Sequence, residues 1–328
     1  MSAKHIKKYK VKYLSVVVPV YNEEGCLQEL IDRTLKACEE TKKKFEIILI
    51  DDGSEDGTLE ILQAASKKHE NIIVSCILNR NYGQHNAIMA GFSIVRGDLI
   101  ITIDADLQNP PEEIPRLVAK AEEGYDVVGT IRQKRQDTFF RRYASKIVNK
   151  ATQKATGVNM KDYGCMLRAY RINIIKAMLE CRENSTFIPV LGNSFARYTC
   201  EIDVKHNERA VGDSKYSLWK LINLQFNLLT CMTTFPLRVL SVIGGLISGL
   251  GVLLGIYILI MRYFIMDEVW AMQGVFTLFA IMFFICGFQV TALGIVGEYI
   301  GRIYTDVRAR PRYFIEDILG QKKPAKKK

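Results

Sequence analysis

Two aspartates, Asp104 and Asp106, follow directly after the apolar stretch Leu99–Ile103. A short run rich in isoleucine that ends in turn-forming residues is typical of a buried β-strand, and Gln108 adds an amide oxygen just beyond it. Ligands of open α/β sheets bind at the carboxyl ends of the strands. The set therefore predicts a site for a hard divalent cation, which takes oxygen ligands. Two solvated aspartates in a turn are the alternative interpretation.

Three more apolar stretches end in polar residues. Tyr21 and Glu23 follow Leu14–Val20, Asp51 and Asp52 follow Phe45–Ile50, and Asn79 and Asn81 follow Ile72–Leu78. Turn chemistry explains each cluster by itself. Four such clusters on one edge of a single sheet would form a polar crevice, which turn chemistry alone does not predict.

The elements that must hold these residues alternate along the chain. Stretches typical of strands are separated by segments of about ten to fifteen residues with helical spacing of apolar residues. This alternation predicts βαβ units and an α/β fold with a Rossmann-like, mostly parallel sheet. No Gly-x-Gly-x-x-Gly follows the first strand and no Gly-x-x-x-x-Gly-Lys occurs, so neither a dinucleotide fingerprint nor a P-loop is supported.

The segment 132–150 is strongly basic and carries three interleaved aromatic residues. A solvated helix face is the ordinary interpretation of such a run. A site for a phosphate headgroup near a membrane is the alternative. Asp162 stands in a loop that leads back towards the sheet, where it would orient or deprotonate an acceptor, or simply stabilise the loop.

Two long segments near the carboxyl end, 239–261 and 274–297, contain no charged residue. At 1.5 Å per residue each reaches about 34–36 Å, enough for a hydrocarbon layer of roughly 30 Å. We expect two transmembrane helices joined by the short segment 262–273. The segment before them is apolar on one side only, which predicts a helix in the membrane interface.

The charge balance also favours a membrane. The 328 residues include 45 Lys and Arg against 35 Asp and Glu, a net charge of +10. The positive charge clusters beside the apolar segments, so an anionic membrane surface is a better partner than nucleic acid. The eight cysteines form no Cys-x-x-Cys, which argues against a zinc or redox motif and fits reduced thiols in the cytosol.

These observations predict four regions. They are a cytoplasmic catalytic domain over 1–213, an interfacial amphipathic helix over 214–237, a transmembrane hairpin over 238–297, and a basic cytoplasmic segment over 298–328. The hairpin has basic residues on both flanks, so the positive-inside rule places both termini in the cytoplasm.

The residues suggest a chemistry for this arrangement. An acidic, cation-binding crevice at a membrane surface fits a nucleotide-sugar donor, whose diphosphate leaves with the help of the metal. A lipid-borne phosphate fits as acceptor, since guanidinium groups match phosphate oxygens. A phosphate monoester has its second pKa near about 6 and attacks with little help from a base.

Several blocks carry a resemblance to a known family. They read V-V-P-V-Y-N-E-E, I-L-I-D-D-G-S-x-D-G, N-R-N-Y-G-Q, D-A-D-L-Q-N-P-P and, near the carboxyl end, G-E-Y-I-G-R-I-Y-T-D-V-R-x-R-P-R-Y. The chain resembles, almost end to end, the inverting polyprenyl-phosphate glycosyltransferases of family 2, which have the GT-A fold.

The resemblance implies roles for individual residues. Donor binding falls to Pro19, Tyr21, Glu23, Asp51, Asp52, Asn79 and Gly83. Asp104, Asp106 and Gln108 would hold Mg²⁺ or Mn²⁺ and the diphosphate, with Asp104, Asp106 and Asp162 as the catalytic set. The acceptor phosphate would contact Arg132, Arg141, Ser145, Arg209 and Lys215. The spacing from Arg132 to Arg141 is shorter than in the related dolichyl-phosphate mannose synthases.

Longer blocks narrow the resemblance within the family. N-R-N-Y-G-Q-H-x-A-I-M-A-G-F, Y-G-C-M-L-R-A-Y-R and S-T-F-I-P resemble the branch that transfers 4-deoxy-4-formamido-L-arabinose from its UDP-sugar to undecaprenyl phosphate. That branch acts at the bacterial inner membrane in lipid A modification and polymyxin resistance. Its relatives also imply a homotetramer.

Other activities remain alternatives at this point. A glucosyl, mannosyl or N-acetylglucosaminyl transferase acting on the same lipid fits the same residues. A processive polysaccharide synthase fits less well, because neither Trp219 nor Trp270 has the context Gln-x-x-Arg-Trp. A non-enzymatic lipid-phosphate-binding membrane module is the alternative from another class, and the intact acidic crevice argues against it.

Overall fold

The computed structural model describes residues 7–132, 160–181, 187–204, 235–264, 268–308 and 310–321. The chain divides into two compact units, one of residues 1–222 with 310–328 and one of residues 223–309. The first unit contains the predicted crevice. The second contains the two long apolar helices.

The first unit is built on an eight-stranded sheet with the order β7-β5-β6-β4-β1-β2-β3-β8. The strands are β1 (Tyr13–Val20), β2 (Lys44–Asp51), β3 (Ile73–Leu78), β4 (Leu99–Thr102), β5 (Val127–Arg132), β6 (Arg168–Arg171), β7 (Thr199–Val204) and β8 (Ile315–Leu319). β1 to β4 are mutually parallel, so their carboxyl ends share one edge. The mostly parallel sheet of the sequence analysis is thus confirmed for these strands. β6 and β8 run antiparallel and make the sheet mixed.

Helices cover both faces of the sheet. In the first unit they are α1 (Leu27–Glu40), α2 (Thr58–Lys68), α3 (Gln84–Ile94), α4 (Ile114–Glu122), α5 (Ile172–Glu180) and α6 (Ile188–Phe195). β1 shows how two cores arise from one strand, because successive side chains point to opposite faces. Val16 and Val18 belong to the core with α1, α2 and α4, whereas Val17 belongs to the core with α3, α5 and α6. Burial on both faces explains why these strands are continuously apolar.

The carboxyl-terminal segment holds a strand that the sequence analysis did not predict. β8 pairs antiparallel with β3, with Cys76 opposite Ile318. The segment predicted only as a basic tail therefore completes the sheet of the first unit. An otherwise open edge of β3 is covered in this way.

The second unit contains α7 (Phe235–Phe264) and α8 (Glu268–Val307). Both are long and apolar enough to cross a membrane, over Leu237–Tyr257 and Ile281–Val307, and none of either stretch is buried. The predicted segment 239–261 falls within α7 and the segment 274–297 within α8. Most of the predicted interfacial helix, residues 214–234, lies outside the described residues.

Candidate active site

Three loops at the carboxyl edge of the sheet are bound tightly to one another. Asn22, after β1, receives a hydrogen bond from Glu55 N at its Oδ1 (2.8 Å) and donates its own N–H to Ser54 Oγ (3.0 Å). Gly53, after β2, has φ +73°, and a Cβ there would lie 2.6 Å from the carbonyl carbon of Arg80. The β2 loop therefore needs glycine to approach the β3 loop this closely.

Asp52 joins the second loop to the third. Its two carboxylate oxygens accept hydrogen bonds from the backbone N–H groups of Tyr82 (2.7 Å) and Gly83 (2.9 Å). The side chain is 3% exposed, and burial is the main cause of a raised pKa. Asp51 is also buried, and its Oδ1 accepts a hydrogen bond from Ser54 N (3.1 Å). Both predicted donor-binding aspartates thus stabilise loops at this edge.

The other predicted donor residues lie at the same edge but differ in exposure. Pro19 is buried within β1, whereas Tyr21 is 44% exposed. Glu23 Oε2 lies 3.2 Å from Cys26 Sγ, which in turn lies 3.3 Å from Ala105 O in the β4 loop. Asn79 Oδ1 accepts a hydrogen bond from Tyr82 Oη at 2.9 Å. The contact between Cys26 and Ala105 therefore links the β4 loop to the β1 loop.

The β4 loop presents the two carboxylates of the predicted cation site. Asp104 Oδ1 accepts a hydrogen bond from Gln84 Nε2 (2.6 Å), and its Oδ2 accepts one from Asn109 Nδ2 (3.1 Å). Asp106 Oδ1 accepts a hydrogen bond from Gln108 N (3.1 Å). Burial, with the nearby Asp106 carboxylate, raises the pKa of Asp104 to about 7. Burial and the charge of Asp106 disfavour ionisation of Asp104, and the nearby guanidinium of Arg132 offsets only part of that effect.

Beside this loop, Arg132 and Asp162 form a bidentate ion pair. Arg132 Nε donates to Asp162 Oδ2 (2.7 Å) and Nη2 donates to Oδ1 (2.9 Å). Gly164 N also donates to Asp162 Oδ1 (3.0 Å). Hydrogen bonding to Asp162 keeps the pKa of Arg132 raised despite its burial, and Asp104 adds to that rise. Two predicted site residues are therefore partners of each other.

Below this pair lies a buried arginine that the sequence analysis did not single out. Arg168, 0% exposed, donates from Nε to Cys165 O (2.8 Å) and from Nη2 to Asp162 O (2.5 Å). Its Nη1 lies 3.3 Å from Met160 Sδ. These bonds stabilise the loop that carries Asp162.

Comparison with known proteins assigns the family. Residues 15–179 match the family described as Glycosyl transferase family 2. The chain belongs to this family. It is therefore a glycosyltransferase, and its sheet is the GT-A-like sheet of that family.

Two relatives are similar over nearly their whole length. One, the undecaprenyl-phosphate 4-deoxy-4-formamido-L-arabinose transferase of Proteus mirabilis, is 60% identical over 97% of this chain and 97% of its own. The enzyme of the same description from Pseudomonas aeruginosa is 58% identical over 96% of this chain and 92% of its own. The chain is also similar to a solved structure, that of mannosyl-3-phosphoglycerate synthase from Rubrobacter xylanophilus. The match has 17% sequence identity and a TM-score of 0.48, and it covers 67% of this chain and 72% of the synthase chain.

The acidic pair suits the divalent cation that is typical of family 2 glycosyltransferases. Asp104 and Asp106 offer only oxygen atoms, and Gln108 follows in the same loop. Among the described residues no group of three or more His, Cys, Asp and Glu side chains is arranged so that it could hold a metal ion. A cation held by two carboxylates keeps positions open for the phosphate oxygens of a substrate, as Mg²⁺ usually does.

Four predicted acceptor residues cannot be placed beside this site. Arg141, Ser145, Arg209 and Lys215 lie outside the described residues. Of the predicted acceptor set, only Arg132 is described.

Sequence reasoning missed three residues that contact the predicted set: Gln84, Asn109 and Arg168. The sequence positions of two of them could have indicated a role at the site. Gln84 directly follows the Asn-Tyr-Gly turn, and Asn109 stands between Gln108 and two prolines. A buried arginine such as Arg168 has no such signal, because arginine is mostly exposed.

Proposed function

We propose that this glycosyltransferase transfers 4-deoxy-4-formamido-L-arabinose from its UDP-sugar to undecaprenyl phosphate, with inversion at the anomeric carbon. The observation that carries the proposal is the Asp104–Asp106 pair, which lies at the same sheet edge as the three hydrogen-bonded loops. The choice of sugar and lipid is supported by the two relatives, which share about three residues in five with this chain.

The donor half of the reaction uses the loops after β1, β2 and β3. The exposed side chain of Tyr21 is available to stack on a base, and Asp51 and Asp52 stabilise the β2 loop and join it to the β3 loop. Asn79 and Gly83 belong to the loop that Asp52 fixes. The uridine would therefore meet a surface that is formed before it binds, which lowers the entropic cost of binding.

Asp104, Asp106 and Gln108 would hold Mg²⁺ or Mn²⁺ beside the diphosphate. A bound cation would supply Lewis-acid stabilisation of the departing UDP. The chain's own task is to keep both carboxylates in place and ionised. The hydrogen bonds from Gln84 and Asn109 serve that task, because donors to a carboxylate favour its charged form.

On the acceptor side, Asp162 would orient Arg132 rather than remove a proton. Its oxygens already accept hydrogen bonds from Arg132 Nε, Arg132 Nη2 and Gly164 N. The acceptor phosphate is already anionic near pH 7, since its second pKa is about 6, and one of its oxygens can attack the anomeric carbon directly. Arg132 would bind that phosphate together with Arg141, Ser145, Arg209 and Lys215.

The chain's connectivity supports a membrane hairpin with both ends in the cytoplasm. The second unit is entered from the first, and after α8 the chain returns to the first unit as β8. Two spans that begin and end in one folded unit must leave and re-enter on the same side of a membrane. We place the protein in the bacterial inner membrane, where its product would serve lipid A modification and polymyxin resistance. We also retain the homotetramer as part of this proposal.

The decisive experiment is a mass-spectrometric assay of the purified protein with undecaprenyl phosphate and a panel of UDP-sugars. We expect a lipid product from UDP-4-deoxy-4-formamido-L-arabinose and little from the glucose, mannose or N-acetylglucosamine donors. A product from another sugar would overturn the choice of donor. No product from any donor would overturn the proposed reaction.

The acceptor assignment has its own test. Replacing Arg141 by alanine should raise KM for undecaprenyl phosphate far more than KM for the donor. Equal effects on both would remove Arg141 from the acceptor site.

A further inference from the structure

Asp104 is held at both of its oxygens by neutral amides. Gln84 Nε2 from the first residue of α3 bonds Oδ1 at 2.6 Å, and Asn109 Nδ2 from the end of the β4 loop bonds Oδ2 at 3.1 Å. Each bond uses one lone pair and leaves others free, since an ionised carboxylate has about four acceptor positions. An arginine or lysine in either place would compete with a cation for the same oxygens.

The backbone conformation around Asn109 restricts the position of its side chain. Leu107 has φ +57°, and Pro110 follows Asn109 directly. A residue before proline is restricted to extended conformations. Asn109 is 3% exposed, so its amide has little freedom to turn into solvent.

The hydrogen-bond partners on both sides of that amide are consistent with one orientation. The two ends of an amide have nearly the same shape, so hydrogen-bond partners decide which end faces Asp104. Cys165, which is fully buried, donates from Sγ to Asn109 Oδ1 at 3.5 Å, and Thr130 Oγ1 lies 2.9 Å from the same sulfur. The NH₂ end faces Asp104, whose ionised carboxylate can only accept, and the carbonyl end faces the thiol.

We propose that Gln84 and Asn109 are positioning residues for the cation: together they fix the Asp104 carboxylate in the orientation that binds a divalent metal. This inference rests on the proposed function, because it takes Asp104 as a ligand of the metal. Partners that orient a metal ligand in this way are worth about 10- to 100-fold in metal affinity.

The test measures Mn²⁺ affinity rather than turnover. The full-length protein in detergent, in the presence of UDP, is titrated with Mn²⁺ and free Mn²⁺ is followed by electron paramagnetic resonance. Two variants remove one amide each without adding charge: Asn109→Leu and Gln84→Met. The matched control is Gln63→Met, an exposed glutamine on α2.

We expect Asn109→Leu and Gln84→Met each to raise the Kd for Mn²⁺ about tenfold. Gln63→Met should leave it unchanged, and Gln84→Met should melt at the temperature of the unmodified protein. Because Asn109 is buried, its variant is judged only if it keeps that melting temperature. Gln84 lies on the surface and carries the test otherwise.

The possible outcomes separate this inference from the function on which it rests. If the unmodified protein binds Mn²⁺ with UDP and both folded variants bind it equally well, the positioning role is wrong and the proposed function stands. If the unmodified protein shows no Mn²⁺ binding with UDP, the cation-dependent function fails first. A tenfold loss that Gln63→Met shares would also overturn the assignment.

Discussion

The loops after β2 and β4 lie at the same sheet edge and both carry aspartates, yet they treat their carboxylates differently. In the β2 loop, both carboxylate oxygens of Asp52 accept hydrogen bonds from backbone N–H groups of the neighbouring loop. In the β4 loop, Asp104 accepts hydrogen bonds from two side-chain amides. Its pKa is raised to about 7 by burial and by the nearby Asp106. Backbone donors of the fold bind both oxygens of Asp52, whereas the two side-chain amides at Asp104 leave acceptor positions that a cation can take.

This difference shows how a structural carboxylate is told apart from a ligand. The type of residue and its place on the sheet are the same in both loops. The partners differ, because backbone donors bind Asp52 to the neighbouring loop, whereas two side-chain amides orient Asp104 and leave acceptor positions for a metal. The variants below are ordered by the size of the effect that this comparison predicts.

Asp106→Asn should have the largest effect. It removes a proposed cation ligand and half of the negative charge of the pair, and we expect kcat/KM to fall about 1,000-fold. The melting temperature should hold or rise, because repulsion of Asp104 is relieved. Turnover assays and thermal unfolding of the same preparation check both points. Normal turnover by this variant in the presence of a chelator would end the metal-dependent interpretation.

Asp162→Asn should come second. The amide still accepts one hydrogen bond from Arg132 but loses the charge that holds both donors in a bidentate pair. In the proposed reaction Arg132 binds the acceptor phosphate, and its displacement by about 1 Å would cost roughly 100-fold in rate. Because the phosphate needs no base, the pH dependence of the residual rate should match that of the unmodified enzyme. Asp203→Asn, at an exposed position of β7, is the matched control.

A changed pH dependence in Asp162→Asn would contradict the orienting role. It would return Asp162 to the role of general base. Loss of activity in Asp203→Asn would instead indicate a general sensitivity to charge on this side of the sheet.

A change of pH should have a smaller effect on metal binding than these two substitutions have on activity. Asp104 binds a proton below about pH 7, and a protonated carboxyl is a poor ligand, so Mn²⁺ affinity should rise as pH increases to about 7 and then level. One unit below that pKa the affinity should be about tenfold weaker. Isothermal titration between pH 5.5 and 8 gives the curve.

The metal-free protein should show the opposite trend in stability. The native pKa of Asp104 lies above its unfolded value, so the folded state binds the proton more tightly, and lowering pH through 7 stabilises it. Mn²⁺ should shift the melting temperature upwards above pH 7 and little at pH 5.5. An affinity that is flat from pH 5.5 to 8 would show that Asp104 is ionised throughout.

Much of this comparison was predictable from the sequence, but not all of it. The parallel strands and their polar ends follow from apolar runs that stop at turn-forming residues. The pairing of Arg132 with Asp162 was not predictable, because these residues are 30 positions apart and both were assigned to substrate. β8 was missed since Ile315–Leu319 is short, alternates poorly and follows a long apolar helix.

The sequence could distinguish the two kinds of apolar segment, the buried strands and the membrane-spanning helices, but not the two kinds of aspartate. Strands such as β1 are buried on both faces in the first unit, whereas α7 and α8 have apolar side chains that are exposed, among them Leu246, Leu250 and Phe283. Length alone separated them in the sequence, because a strand needs a handful of residues and a span needs about 20. The hydrogen-bond partners of Asp52 and Asp104 could not be separated in this way, since both follow an apolar strand.

Asp52→Asn should have the smallest effect on chemistry and the clearest one on stability. The new NH₂ group cannot accept, so the side chain can accept from only one of the two N–H groups, although Gly83 N keeps a second acceptor in Asn81 Oδ1 (3.1 Å). The net loss of one hydrogen bond costs about 0.5–1.5 kcal/mol, which lowers the melting temperature of a unit of this size by about 1–6 °C. Mn²⁺ affinity should change less than twofold, because the β4 loop keeps all its bonds.

Thermal unfolding and Mn²⁺ titration of Asp52→Asn and Asp106→Asn, run side by side, give the comparison its sharpest form. One variant should lose stability and keep the metal, and the other should keep stability and lose the metal. If Asp52→Asn melted normally yet bound Mn²⁺ tenfold more weakly, Asp52 would belong to the cation site as well. The contrast between the β2 and β4 loops would then be one of distance from the metal and not of partner.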